Sequence, residues 1–344
     1  MSRVYRIGVL GLTHDHVWSV LREVQASGRA VLVAAADPHE ELLARLRQEV
    51  SCTTYRDYDS VFEHETLDAV YIYSDNATGA RLAVRAAEQG WHVLVEKPMA
   101  ADLAGANRML EAARRAGVRI MVNWPFAWWP QLQYALQLVR DGVLGDIWQV
   151  KYRAAHAGPK EIGCSSFFCD WLFDPQRNGA GALMDYGCYG ALLARVVLGM
   201  PQGVTAVAGR LCKPDLQVED NAVLLLNYPH ALALAEASWT QVGQLTSGVA
   251  VIYGTQGTLL IEPRRGGRLL LANAEHPQGR LLDVPEPADP NSNATLHFVH
   301  ALESGGDFLP LCCSAMGRDV QEILEASLQS WRTGRQIPLP LAQP

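Results

Sequence analysis

Five short runs in the first third of this chain lack the polar alternation of a half-exposed strand: Val4–Leu10, Val31–Ala36, Ala69–Tyr73, Trp91–Val95 and Val118–Val122. Strands buried on both faces of a parallel sheet read this way. Helix-like segments near 16–27, 39–49, 77–89 and 102–116 separate them. In the last, Leu103, Ala106, Leu110 and Ala113 recur at three- and four-residue spacing, between an N-cap at Asp102 and a stop at Gly117. Repeated strand–helix alternation predicts a doubly wound α/β (Rossmann) domain over residues 1–123.

Beyond residue 123 the pattern changes. Ile147–Arg153, Val204–Leu211, Val218–Tyr228, Ala231–Trp239, Val249–Gly254, Thr258–Ile261 and Leu269–Leu271 read as strands. Asn227–His230 and Gly254–Gly257 read as hairpin connections, and helices are expected near 187–199 and 314–332. Residues 124–344 are therefore expected to form an α+β domain with an open, mostly antiparallel sheet. The chain has 344 residues, 49% hydrophobic and 19% charged, which excludes wholesale disorder. Its formal charge of -7 excludes a general nucleic-acid coat. Its seven cysteines are scattered, no apolar export segment opens it, and no stretch has the ~18–20 uninterrupted apolar residues of a membrane span. A cytoplasmic protein with reduced thiols and no membrane partner is the expectation.

In a doubly wound sheet, ligands sit where strand C-termini meet helix N-termini. The first such junction is Gly8-Val-Leu-Gly11-Leu-Thr13-His14-Asp-His16. A dinucleotide fingerprint would place glycines at 11, 13 and 16; only Gly11 is kept, so the motif alone leaves dinucleotide binding and a ligand-free turn both open. Asp37 ends the second run 26 residues after Gly11, near the ~20-residue offset of a ribose-binding acid. No Arg stands beside it, which favours NAD over NADP; the other reading is a helix N-cap. Ser74-Asp75-Asn76 and Glu96-Lys97-Pro98 close the third and fourth junctions. A lysine in a partly desolvated cleft beside a cationic ring would lose its proton more easily and could shuttle protons.

These residues resemble the glucose–fructose oxidoreductase, inositol dehydrogenase and rhizopine-catabolism (Gfo/Idh/MocA) family. The resemblance rests on Arg6–Gly11, Ala35-Ala-Asp37-Pro38, and Glu88-Gln-Gly-Trp-His-Val-Leu-Val-Glu-Lys-Pro98. It extends through Gly142–Ile147, Gly179-Ala-Gly-Ala-Leu-Met-Asp-Tyr-Gly-Cys-Tyr189 and Ile337–Leu341. It implies a nicotinamide cofactor on the first domain and oxidation of a secondary hydroxyl of a sugar, polyol or related molecule. It also implies a homodimer or homotetramer built through the second sheet. Carried over by position, Lys97 matches the catalytic lysine, Asp185 the substrate-side aspartate and Asn76 the asparagine after the third strand. Tyr189 stands where many members have a catalytic histidine. Gly8, Gly11, Thr13, His14, His16, Asp37, Ser74, Asn76, Glu96 and Lys97 are the expected cofactor contacts. Thr13, His16, Asp75, Gly79 and Leu192 depart from the family pattern.

Asp185 and Tyr189 are four apart, hence on one face of a helix beginning there. A hydroxyl held between Lys97 and Tyr189 would have two proton carriers in reach, provided a cation such as Lys97 lowers the tyrosine pKa. The other readings are an N-cap for Asp185 and a packed aromatic for Tyr189. The segment 156–174, with His156, suits a substrate-lining loop. Residues 123–130 hold four aromatics including Trp124, to wall the cofactor or to cement the domains. His156, Cys164, Cys169 and Cys188 match no zinc spacing, and no metal is expected. His14 and His16 could reach a pyrophosphate or the cleft, or simply cap the turn. Two other functions stay open: a non-catalytic nucleotide- or sugar-binding regulator, and an NAD-dependent glycosidase or lyase of the elimination type.

Overall fold

A computed structural model describes residues 3–342. The first 123 residues run β1 (Tyr5–Leu10), α1 (Val17–Ser27), β2 (Ala30–Ala36), α2 (Glu40–Glu49), β3 (Thr53–Tyr55), α3 (Tyr58–His64), β4 (Ala69–Ile72), α4 (Asn76–Glu88), β5 (His92–Glu96), α5 (Leu103–Ala116) and β6 (Ile120–Asn123). The strands form one parallel sheet in the order β3-β2-β1-β4-β5-β6. Strand order therefore reverses between β1 and β4, and the crevice at their C-terminal ends is the switch point of a doubly wound sheet. β3 and α3 were not anticipated: at three and seven residues they carry too little periodic signal.

The second sheet is built from β7 (Ile147–Ala155), β8 (Gly203–Gly209), β9 (Asn221–Asn227), β10 (Leu232–Ser238), β11 (Ala250–Gly254), β12 (Thr258–Ile261), β13 (Leu269–Ala272), β14 (Arg280–Leu281) and β15 (Ile337–Pro338). Its order is β14-β13-β12-β11-β7-β10-β9-β8-β15, antiparallel except for β7 beside β10. β9 starts at Asn221 rather than Val218. The Asp220 carboxylate accepts N–H groups of Leu211, Cys212 and Lys213 at 2.7, 2.8 and 2.7 Å and turns the chain before the strand can begin.

Six helices accompany this sheet: α6 (Pro130–Arg140), α7 (Ser166–Leu172), α8 (Pro175–Asn178), α9 (Cys188–Leu198), α10 (Ala294–Ser304) and α11 (Ser314–Thr333). α9 packs on β7 and β10, and α11 on β8, α9 and α5, so one sheet face is buried. The run 175–198 has the length and composition of a membrane span, but its most apolar 18-residue stretch is 72% buried inside the protein, as in a core helix. α10 returns to the first sheet: it packs on α1, and Phe298 meets Tyr71 edge-on at 5.7 Å. Arg119 fastens that return by donating to the carbonyls of Ala301 and Gly306 at 2.6 and 2.7 Å.

Candidate active site

β5 is buried along His92–Glu96 except at its first residue, so it delivers Lys97 to the C-terminal edge of the first sheet out of solvent. The facing group comes from the second domain. Gly179 has φ +97, and a Cβ there would overlap the Ala101 carbonyl; a Cβ on Gly181 would overlap that of Glu219. Only glycine lets the chain pass this close. The Glu219 carboxylate then accepts the N–H groups of Gly181 and Leu183 at 2.8 and 2.9 Å. This tie leads into a π-turn, Leu183–Gly187, which opens directly into α9. Such turns are rare and recur at functional sites.

The π-turn brings Asp185 onto Lys97. Nζ donates to Oδ1 at 2.6 Å and to the Asp185 carbonyl at 3.2 Å, while Oδ2 accepts the Trp239 indole N–H at 3.2 Å. Lys97, Asp185 and Tyr189 are all buried. The ammonium lies 5.1 Å from the Tyr189 ring centre and 5.8 Å from that of Tyr186, within cation–π range. His156 meets Tyr186 edge-on at 4.7 Å, and Trp124 meets Tyr189 at 5.7 Å. The structure thus gathers Lys97, Asp185, Tyr189, His156 and Trp124 into one cleft between the domains.

Two expectations about protonation are corrected here. Burial alone would lower the Lys97 pKa, but the Asp185 carboxylate, together with Cys188 and Glu96, outweighs it and holds the lysine charged to above its ordinary range. Tyr189 is pushed well above its ordinary pKa, by burial first and then by Cys188, Tyr152 and Asp185. Lys97 therefore stands as an ammonium and Tyr189 as a neutral phenol. Burial also keeps His156 neutral by lowering its pKa.

At the other end of the crevice, Gly11 has φ +90 and a Cβ there would strike the Ser74 backbone, so the turn presses against the chain after β4. Asp37 is fully buried. Oδ2 accepts the Leu12 N–H at 2.6 Å, and Oδ1 accepts the His39 N–H at 2.8 Å and faces its Nδ1 at 2.7 Å. Oδ2 thus braces the Gly11 turn, whereas Oδ1 is tied to His39 at the start of the next helix. Asn76 is likewise engaged, donating to Asn178 Oδ1 at 2.8 Å across the domains. α7 lies over this edge: Phe167 meets His39 at 5.0 Å, Phe168 and Trp171 meet His14 at 4.7 and 5.7 Å, and the Ser165 N–H reaches Asp15 at 2.7 Å.

His14, His16 and Glu96 place one ligand-type atom each within 4.8 Å of one another. The His16 N–H points at His14 Nδ1 (3.3 Å), which leaves the His14 proton on Nε2, the nitrogen facing Glu96 at 3.9 Å. His16 Nδ1 lies 3.2 Å from the same carboxylate oxygen, and Asn123 donates to the other at 2.6 Å. Burial, His16 and Lys97 keep His14 neutral. Glu96 is thus held by Asn123 and His16, with His14 alongside.

The donor set fits a dinucleotide. The glycine turn leads into α1, an acid ends β2, an ammonium ends β5, and the buried indole N–H groups of Trp171, beside His14, and Trp124, beside Tyr189, have no partner among the described residues. Glu219, Trp239, Asn178, Asn123 and Tyr186 escaped the sequence reading. Each acts through a partner distant in sequence or through a turn that folding creates, and no local spacing announces that.

A doubly wound domain joined to an open-sheet domain, with an ion pair in the crevice between them, defines a dinucleotide-type oxidoreductase fold. Residues 5–124 match the family described as "Oxidoreductase family, NAD-binding Rossmann fold", and residues 132–260 match the "GFO/IDH/MocA C-terminal domain". The chain belongs to the Gfo/Idh/MocA oxidoreductase family. It is 32% identical over 341 residues to D-xylose 1-dehydrogenase (NADP(+)) 2 of Haloferax volcanii, covering 96% of this chain and 99% of that protein. It is 28% identical to D-apiose dehydrogenase of Paraburkholderia graminis, over 96% and 88% of the two chains. Among solved structures, a levoglucosan dehydrogenase complexed with NADH and levoglucosan shares the fold at TM-score 0.82 and 21% identity, over 98% of this chain and 100% of that one.

Proposed function

We propose that this protein is an NAD-dependent dehydrogenase that oxidises a secondary hydroxyl of a sugar, polyol or related small molecule. One observation carries the reading: the Lys97–Asp185 pair, 2.6 Å apart and buried against Tyr189 at the junction of the domains. Relatives that act on D-xylose and D-apiose support the substrate class.

The turn at Gly8–His16, the N-terminus of α1, Asp37, Ser74, Asn76 and Glu96 would hold the dinucleotide, whose nicotinamide supplies the hydride acceptor when bound. For Asp37 to take ribose hydroxyls, His39, whose side chain is 41% exposed, has to swing away from Oδ1. A buried carboxylate there repels a 2′-phosphate, and the following residues Pro38, His39, Glu40 and Glu41 offer no guanidinium, which favours NAD.

Lys97 Nζ donates a hydrogen bond to the reacting oxygen of the substrate and gives it a proton when a carbonyl is reduced. In the oxidative direction Lys97 starts neutral and takes that proton, a state the Asp185 carboxylate holds back at neutral pH. Tyr189 steadies the same oxygen as a phenol donor. Asp185 fixes Lys97, while Trp124 and His156 border the substrate.

The protein is further read as a homodimer or homotetramer joined through the open face of the second sheet, where Val207 is 71% exposed beside its partner Val223. Seven free cysteines agree with a reducing, cytoplasmic setting. Titrating NADH against NADPH by tryptophan fluorescence, then following NADH formation over a sugar and polyol panel, tests the reading. Lys97→Met should abolish turnover and leave NADH binding nearly intact. Full activity in that variant refutes the mechanism, and ligand binding without turnover by the unaltered protein makes it a regulator. Released reducing sugar with no net NADH makes it an eliminating glycosidase.

A further inference from the structure

Gly11, Thr13, His14, Asp37, Ser74 and Asn76 are the residues expected to touch a dinucleotide, and the protein's own atoms bury all six. A pyrophosphate needs backbone N–H groups that it can approach, and a ribose needs the oxygens of Asp37. Neither group can reach its partners with this cover in place.

One segment of the second domain, residues 165–178 with α7 and α8, touches all three junctions that a dinucleotide would follow. At the end of β1, the Ser165 N–H donates to Asp15 Oδ2 at 2.7 Å, and Phe168 and Trp171 pack on His14. At the end of β2, Phe167 lies edge-on to His39, whose ring in turn faces Asp37 Oδ1. After β4, Asn76 donates to Asn178 Oδ1 at 2.8 Å, and the Arg177 guanidinium lies 3.6 Å from Asp75. α7 and α8 have seven and four residues and belong to neither sheet, so the segment can rise without unpairing a strand. Turns over 159–163 lead into it, and its far end is pinned where Gly179 passes the Ala101 carbonyl.

Resting on the dehydrogenase reading above, we infer that residues 165–178 form a strap over the cofactor crevice, which must lift off the first domain before NAD can enter. Phe168 and Trp171 are buried beneath the closed strap. Lifting it bares two large rings to water, so the open form is the minor one. The rate of NAD binding is then set by how often the strap opens rather than by encounter.

Rapid mixing with rising concentrations of NADH, followed by nicotinamide fluorescence, tests this. The observed binding rate should level off to a plateau. Phe167→Ala, and separately Arg177→Gln, each remove one contact from the strap and should raise that plateau at least fivefold. A rate that keeps climbing in proportion to NADH overturns the strap and leaves the dehydrogenase intact, as does a plateau that both variants leave unchanged. Binding of NADH by the variants but not by the unaltered protein supports the strap and sinks the dehydrogenase reading. No binding by any of the three proteins refutes both.

Discussion

Lys97 Nζ lies 2.6 Å from Asp185 Oδ1, joining the end of β5 to a π-turn 88 residues further along the chain. Both partners are buried, so each charge depends on the other. Asp185→Asn should leave an uncompensated ammonium and destabilise the protein by roughly 3–5 kcal/mol. Because the Lys97 pKa is raised in the folded state, the pair's stabilisation is complete at neutral pH and is lost as pH climbs past the ordinary lysine range. In the Asp185→Asn enzyme that still folds, Lys97 deprotonates at lower pH, so the alkaline rise of oxidative kcat/KM should move toward neutrality. An unmoved pH–rate profile would remove Lys97 from the proton transfer.

Gly11→Ala should cost on the order of 2–3 kcal/mol, since φ +90 strains any side chain and the added Cβ strikes the Ser74 backbone. The turn braced by Asp37 would shift with it. Chemical denaturation and NADH titration of the variant check both effects; wild-type values in both would show that the close approach is not needed.

Glu23 on α1 is pushed up to about 7, by burial first; its Oε2 accepts the Thr295 N–H at 3.3 Å, and the hydroxyls of Tyr71 and Thr295 nearby have no partner among the described residues. A carboxyl raised in the folded state binds a proton there that the unfolded chain releases, so stability falls as pH rises from about 4.5 to 7. Glu23→Gln keeps the acceptor and removes the charge. It should raise the melting temperature at pH 8, by about 1–2 kcal/mol of stability given the partial exposure, and change little at pH 4.5. Equal shifts at both pH values would contradict this account of α10 docking.

Val207, Val223, Leu225 and Leu232 leave an apolar band on the open sheet face at the β8–β10 end. Sedimentation of the wild type should show a dimer or tetramer, and Val207→Lys with Leu225→Lys should give a folded monomer. A wild type that sediments as a monomer would end the assembly proposal.

The buried strands of the first sheet were legible because being covered on both faces leaves an unbroken apolar run, and α5 because Asp102 caps it with a bond to the Gly105 N–H. α7 was not. Seven residues rich in Phe, Cys and Trp show no period of their own, and they become a helix because Ser165 caps them and the first domain offers His14 and His39 to pack on. The parallel pairing of β10 with β7 was also hidden, because the chain order of hairpins does not say which hairpin a distant strand joins.

Glu96-Lys97-Pro98 and the glycine-rich segment at 179–189 by themselves determined the family and put a lysine and an aspartate in play. What the tertiary structure decided is their charge state and company. Whether a buried lysine is a base or an ammonium depends on the distance to its counter-charge, and only folding brings Asp185 within 2.6 Å and closes a wall of aromatic rings around Tyr189.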